Sequence, residues 1–515
     1  MSLREQNKHQ LIDQDFDTLV IGGGINGAAA AAALAARGIR TALVDARDFA
    51  GLTSQSSSNL IWGGIKYLES LEGGLVRGLC RGRNELIRAY PAAVRETRFL
   101  ATLPRGLRRP RTAVWLGSWL YWFLGDRFTR PPTLLSANDI RRREPAVNVS
   151  GAAGGVEYSD AVLVAGDARF VFNLVHDAMA HGCVAVNYLQ VTDLAWDKEG
   201  HWEVDLRDQV TGDIGQVRAR VVVNAAGPFA DDVARLAGVR HRHRHVLSKG
   251  IHLVVDRVTS SGRVLAFISD DNRPFFVVPL GSRSCIGTTD TPTDHPDGGV
   301  TEEDRRFVLD NANRCLRLAA PLTEADVIAE RCGVRPLAVV PGEYSPADYL
   351  QLSRRHAIEA AAGKNFVTVF GGKLSDCIKV GNGVVKAVLD AGVADPGLAR
   401  RWYGEPDDLV RQQYRSQAKV LNGALSQVQL ERFWCWYGLR ALELLETLQK
   451  DPGAACPMLP GSDIVRAEVE LIRTTEMVVT IDDFLRRRTL LALTVNADHL
   501  ASSVAESDLD QILFD

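Results

Sequence analysis

Gly22, Gly24 and Gly27 form a Gly-x-Gly-x-x-Gly turn, and Asp45 closes the next apolar run. Residues of these types in this order have the chemistry to hold a dinucleotide. Gly22 permits the tight turn, Gly24 lets backbone approach a pyrophosphate, and Gly27 lets a helix pack on the preceding strand. The helix N-terminus offers N–H groups and a positive dipole end to the phosphates. Asp45 is placed to accept from both hydroxyls of a ribose. The elements that must position these groups are legible around them. A β-branched run at 18–21 reads as a strand, an Ala-rich stretch as a helix, and 41–44 as a second strand. A buried Ala-rich helix with no ligand does not account for the acid.

The 515-residue length predicts two or three domains. A hydrophobic content of 46% with 24% charged residues is that of a globular protein. A net charge of −3 argues against general nucleic-acid binding. The 8 cysteines are scattered without a CxxC pair, which predicts reduced thiols in a cytosolic setting, with no disulfide framework or structural zinc. The first residues are polar and lack a signal-peptide core. No apolar run reaches the roughly 20 residues of a spanning helix.

Residues 53–67 read as a polar loop whose hydroxyls lie beside the phosphate site, and a helix is predicted around 75–90. Residues 95–130 combine Arg95, Arg98, Arg105, Arg108, Arg109, Arg111, Arg127 and Arg130 with Trp115, Trp119, Tyr121, Trp122 and Phe123. That pattern suits contact with an anionic lipid surface, or a buried helix flanked by surface arginines. A loop from 160 leads into a helix ending near His181, followed by a strand and a hairpin. Asn224-Ala-Ala-Gly227 is a second strand-to-glycine turn able to pass beneath a cofactor. His241, His243 and His245 alternate with arginines, which predicts a basic surface loop rather than a metal site. Residues 249–290 are strand-rich, helices are predicted at 301–318 and 379–391, and helical periodicity dominates from 395 onward.

The motifs VIGGGINGAA (20–29), LIWGGIKYLE (60–69), EYSD (157–160), NAAGPFAD (224–231), KGIHLVV (249–255), CIGTTDT (285–291), CGVRPL (332–337) and FGGKL (370–374) occur in order along the chain. With IDDFLRRRT (481–489), they give a sequence that resembles the FAD-dependent glycerol-3-phosphate dehydrogenase family. More loosely, it is similar to the flavoprotein superfamily of glycine and D-amino-acid oxidases. The resemblance implies an α/β fold: a discontinuous Rossmann-like FAD-binding domain, an inserted mixed-sheet substrate domain and an α-helical C-terminal domain. The expected FAD segments are 15–80, 155–245 and 344–394. Residues 81–154 would form a cap carrying the membrane-contact stretch, 246–343 the substrate domain and 395–515 the helical domain.

The resemblance also implies roles. Gly22, Gly24, Gly27 and Asp45 would hold the ADP half of FAD. Thr53, Ser54 and Ser57 would lie near the phosphates and ribityl chain, Val191 would hold adenine through its backbone, and Gly227 would lie near the pyrophosphate. Gly372, Lys373 and Leu374 would approach the flavin ring. His252 is the implied base for oxidation of a secondary alcohol by hydride transfer to flavin N5. Arg335 and Lys373 would recognise an anion, with Lys66 and Tyr67 completing the pocket. The expected substrate is glycerol 3-phosphate, oxidised to dihydroxyacetone phosphate. A quinone or other acceptor would take the electrons. The protein would be cytoplasmic, with a peripheral site on the inner membrane face and a homodimer left open.

The sequence departs from the family beside the expected site. Where the family reads Lys-Leu-Ile-His-Gly-Gly-Leu-Arg-Tyr, Trp62 replaces the histidine and Lys66 the arginine. Where it reads Gly-Gly-Lys-Leu-Thr-Thr-Tyr-Arg, the arginine is lost and Asp376 is gained. If Asp376 faces the pocket, it opposes a dianion and suits a polyol hydroxyl or an amine. Two alternatives follow: an oxidoreductase of the same fold acting on another small anionic alcohol or amine, and a flavin-binding scaffold without turnover.

Overall fold

The computed structural model describes residues 1–107, 109–269, 273–342, 355–361, 363–398, 400–421 and 423–514. Arg108 and, between the CGVRPL and FGGKL motifs, residues 343–354 and 362 lie outside them.

The first sheet is built on strand Phe16–Ile21, which pairs in parallel with Thr41–Val44 on one side and Ile214–Asn224 on the other. Val184–Val186 extends one edge in parallel and Phe366–Phe370 the other, and Ala357–Ala360 closes the sheet antiparallel. A hairpin of Leu189–Trp196 and Trp202–Asp208 joins antiparallel to Ile214–Asn224. These strands are short apolar runs because both faces are covered. One face carries helix Ile25–Ala36, in which every residue from Gly27 to Ala36 is buried. Its small side chains let Asp167–Ala180 and Cys377–Asp390 pack close beside it. The other face buries Leu19, Val186, Trp202 and Val222.

The second sheet is mixed. Arg244–Asp256 pairs antiparallel with Ala329–Val339 along its length, and Val94–Pro104 with Ala152–Leu163. Val264–Ile268 joins the halves, parallel to Val94–Pro104. Helices Ala137–Arg143 and Glu302–Cys315 cover one face, closing a core around Ile140, Leu253, Ile286 and Val308. Two strands of this sheet, Leu60–Ile61 and Ala152–Leu163, begin within or run into segments expected of the FAD domain. Their antiparallel pairing places them in the second sheet.

The chain from Asp408–Ala418 to Leu509–Phe514 is helical. Its Phe433, Trp434, Leu444, Leu445 and Phe484 share one apolar cluster with the Ala-rich helix, so this region is built onto the first sheet's helical layer.

The 95–130 stretch resolves into strand Val94–Pro104 and helix Arg111–Leu124. Only Ser118 and Tyr121 of that helix are buried, so the buried-helix alternative does not hold. Leu116, Leu120 and Phe123 are 61%, 52% and 55% exposed. Their spacing puts them on one stripe. Among the described residues no helix is long and apolar enough to cross a membrane.

Candidate functional site

The fingerprint turn is built on close approach. Gly22 has φ +101°, and a Cβ there would lie 2.6 Å from Ala225 O in the second glycine turn. A Cβ on Gly27 would lie 1.8 Å from Gly22 O, so the helix reaches the strand end only without one. Gly24 caps the helix without a side chain, and Ser54 Oγ accepts from Ile25 N at 2.9 Å. Asp45 accepts from Gly23 N at 2.6 Å and from Arg47 N at 2.8 Å. Burial pushes its carboxyl up to about 7, against the pull of those two N–H groups.

A cavity of about 290 Å³ is lined by residues of both sheets and by the loops between them. Thr53, Ser54 and Ser57 line one end with Gly372, Lys373 and Leu374. Gly22, Gly24, Gly27, Asp45, Val191 and Gly227 lie outside its lining. Val191 is buried at an irregularity in its hairpin, and Gly227 opens a short turn with φ +57°. Asn26 Nδ2 donates to Gly371 O at 2.9 Å, tying the fingerprint helix to the FGGKL loop. Asn26 Oδ1 is buried there with no partner. A glycine cradle, a helix N-terminus and an orphaned acceptor beside the cavity fit a flavin dinucleotide.

At the other end, register brings His252 and Arg335 together. Ser248 on Arg244–Asp256 lies opposite Arg335 on Ala329–Val339, and His252 lies opposite Arg331. The Arg335 guanidinium occupies the space a side chain on Gly250 would fill, with a Cβ there 2.1 Å from Nη2. It donates to Thr288 Oγ1 at 3.0 Å and lies 3.7 Å from the Asp290 carboxylate. His252 is buried, with Nδ1 unpartnered. Burial, then the charges of Arg331 and Arg335, hold its pKa well below the ordinary imidazole value. Lys373 Nζ donates to Tyr67 OH at 3.0 Å and lies 4.4 Å and 5.7 Å from the Tyr67 and Trp62 ring centres. Lys66, Tyr67 and Trp62 all line the cavity.

Two lining residues, Arg273 and Asp290, were not singled out from sequence. Arg273 Nη1 donates to Asp290 O at 2.7 Å, and Asp290 also takes a short bond from Ser248 Oγ. Asp290 lies within the CIGTTDT motif, which was the available signal. Lys66, Arg273, Arg335, Arg355 and Lys373 thus face a space whose lining, among the described residues, holds one carboxylate, Asp290.

Asp376 is a correction. It is buried but absent from the lining, 3.6 Å from the His356 ring and 3.5 Å from Lys379 Nζ. Burial opposes its ionisation, yet His356 and the lysines outweigh that and hold its carboxyl below the usual range. The histidine run also differs from the expected basic surface loop. Arg242 and Arg244 are exposed at the entry to strand Arg244–Asp256, while His241, His243 and His245 gather around Phe370 at 5.4, 5.9 and 5.1 Å between ring centres. Glu359 bonds His243, and Gly371 N donates to His245 Nε2 at 3.1 Å.

Residues 17–374 match the family described as FAD dependent oxidoreductase. Residues 400–507 match the C-terminal domain of alpha-glycerophosphate oxidase. Glycerol-3-phosphate dehydrogenase 2 of Mycobacterium tuberculosis is 32% identical over 499 residues, covering 93% of this chain and 82% of that protein. Glycerol-3-phosphate dehydrogenase of Mycobacterium leprae is 31% identical over 514 residues, covering 97% and 84%. Among solved structures, glycerol-3-phosphate dehydrogenase from Bacillus halodurans complexed with FAD superposes with a TM-score of 0.75 at 25% identity, covering 99% of this chain and 93% of that one. A glycine oxidase from Geobacillus kaustophilus shares the fold at a TM-score of 0.56 and 19% identity. With the cofactor cradle, the cavity and the helical region all in place, the chain belongs to the FAD-dependent glycerol-3-phosphate dehydrogenase family and is an FAD-dependent oxidoreductase.

Proposed function

We propose that this flavoenzyme oxidises glycerol 3-phosphate to dihydroxyacetone phosphate and delivers the electrons to a membrane quinone. The observation that carries the reading is the cavity itself. It sets five cationic side chains and a buried neutral histidine beside the loop assigned to the flavin. Arg335 and Lys373 bind the phosphate, the guanidinium through paired N–H groups and the ammonium as a point charge. Tyr67 holds Lys373 in place. His252 takes the hydroxyl proton of the substrate; with Nδ1 buried, the proton goes to Nε2. The carbon hydrogen leaves with its electron pair as the ketone forms, and bound FAD supplies the two-electron acceptor at N5. The names and activities of the relatives support the same substrate.

Anaerobic addition of glycerol 3-phosphate to the purified flavoprotein is expected to bleach the flavin absorbance. A spectrum that stays oxidised, while dithionite still bleaches it, would sink the proposal. The departures at Trp62 and Lys66 favour a second reading, another small anionic alcohol or amine, and a panel of such compounds in the same assay separates the two.

Arg335→Ala is expected to raise KM about 10- to 100-fold, the loss of charge-assisted hydrogen bonds to an anion. His252→Gln is expected to slow flavin reduction by about 10²- to 10⁴-fold with FAD retained. An unchanged KM removes Arg335 from the site, and a wild-type reduction rate removes His252 as the base.

Asp45 gives a pH dependence. The ionised carboxylate has acceptors for both ribose hydroxyls, and its pKa of about 7 is that of the protein without cofactor. Below that pH, binding must expel a proton. FAD affinity is therefore expected to hold level above about pH 7 and to weaken by up to about tenfold per unit below it. Asp45→Asn should bind FAD more weakly with no such slope; an equal slope in the variant assigns it to another group.

The membrane contact is proposed for helix Arg111–Leu124. Its apolar stripe is exposed, and Arg105, Arg109, Arg127 and Arg130 around it are exposed as well. This is the composition of an interfacial helix at an anionic surface. Its Tyr121 OH is the atom a side chain on Gly63 would strike, so the helix backs onto the Trp62–Tyr67 wall of the cavity. Phe123→Asp with Leu120→Asp is expected to release the protein from anionic vesicles while leaving flavin reduction intact. Equal vesicle binding by the variant places the contact elsewhere.

A further inference from the structure

Asp48 stands three residues after the ribose-binding acid, on the loop that continues to Thr53, Ser54 and Ser57, and is 1% exposed. Its carboxylate is held mainly by the C-terminal region. Oδ2 accepts from Arg487 Nε at 2.7 Å and Arg488 Nη1 at 2.8 Å, and Oδ1 accepts from Arg488 Nη2 at 2.8 Å. Asn187 Nδ2 completes Oδ1 at 2.9 Å and also donates to Met477 O at 2.9 Å. Farther along the loop, Arg487 Nη1 donates to Gln55 Oε1 at 3.1 Å, and Gln55 Nε2 donates to Gly51 O at 2.7 Å.

The arginines are fixed in turn. They lie on the single wide turn Asp483–Arg488, where Asp483 accepts from Arg487 Nη2 at 2.5 Å and Tyr188 OH at 2.7 Å. Arg488 also bonds Glu476 O at 2.9 Å and covers the Phe172 ring at 4.1 Å. Phe49, next to Asp48, packs on Phe172 and is what a side chain on Gly23 would strike, at 2.4 Å. One contact path therefore runs from the C-terminal turn to the glycine fingerprint.

The loop between Asp45 and Ser57 is irregular apart from one short turn at Thr53–Gln55. Ordering such a segment costs conformational entropy that cofactor binding would otherwise have to supply. We infer that the C-terminal helical region is a clamp on the cofactor loop. Arg487 and Arg488 act as positioning residues that hold Asp48 and Gln55, so that FAD affinity and the order of residues 466–494 are coupled. Coupling of this kind is reciprocal: bound FAD must also stabilise the turn that carries the arginines.

The test uses the full chain stripped of flavin and reconstituted with FAD. Affinity is followed by flavin fluorescence, and order by amide exchange of residues 466–494 with and without FAD. In the wild type, FAD is expected to slow that exchange. Arg488→Met is expected to bind FAD at least tenfold more weakly and to lose the slowing. Gln55→Ala, which removes the Arg487 contact and the Gly51 tie but leaves both arginines on Asp48, is expected to move both in the same direction by less. A purely structural role would lower the melting temperature with and without FAD alike and leave FAD affinity at the wild-type value, which overturns the clamp. Exchange in the wild type that ignores FAD also overturns it. Should Arg488→Met not fold, Gln55→Ala and the wild-type exchange decide.

Discussion

Lys66, Arg273, Arg335, Arg355 and Lys373 share the walls of one cavity of about 290 Å³, and like charges so close repel. Four of them are held by fixed partners. Arg335 is tied to Thr288 and Asp290, Arg273 to the Asp290 backbone, Lys373 to Tyr67 and Arg355 to Glu72. A field fixed in this way does not relax when a ligand arrives. It is complementary to a phosphate dianion and to the negative charge that a reduced flavin carries. It also contributes to keeping His252 neutral, because protonating a buried imidazole beside Arg331 and Arg335 is opposed by burial and by both charges. In the proposed reaction, binding, base strength and stabilisation of the reduced cofactor would all draw on the same fixed charges.

The cofactor side obeys a different constraint, one of volume. The run of buried alanines in Ile25–Ala36 leaves a helix thin enough for two others to pack against it and for its first turn to meet the strand end. Asn26 then carries that rigidity to the FGGKL loop through Gly371. His245 meets the same residue from the opposite side, through the Gly371 N–H. The FGGKL loop is in this way held between the fingerprint helix and the histidines packed on Phe370.

Much of this was legible in the sequence because it rests on local spacing. The fingerprint and the helical C-terminal region follow from short-range pattern, while the cations of the CGVRPL and FGGKL motifs came from the resemblance those motifs carry. What escaped depends on long-range pairing. Arg273, just before Pro274–Leu280, and Asp290, between Arg283–Gly287 and Thr291–Thr293, reach the cavity only through the long-range pairing of those strands. Leu60–Ile61 and most of Ala152–Leu163 fall in the segments expected of the FAD domain, and they pair with each other in the second sheet rather than with the fingerprint strand. The histidine run read as a basic loop because its arginines are exposed, while the contacts of its histidines with Phe370 are long-range. Helix Arg111–Leu124 could not be divided between lipid and core from composition, since bulky aromatics suit both. Only its exposed stripe separates the two.

The position of Asp376 bears most directly on substrate choice. Read from sequence, an acid gained next to the flavin loop argued for a hydroxyl-rich or amine substrate. In the structure its charge is matched by His356 and Lys379, outside the cavity lining. An acid so paired projects little field into the pocket, whose own carboxylate, Asp290, is engaged with Ser248 and Arg335. The balance of charge at the site therefore stays positive, and an amine cation would enter against it. What remains distinctive is shape rather than charge. Trp62 brings an indole within 6.2 Å of both Tyr67 and Phe276, and Lys66 keeps the positive charge of the arginine it replaces with a narrower head group. Any specificity that sets this chain apart from its relatives must then come from how that aromatic wall limits the carbon skeleton attached to the anion.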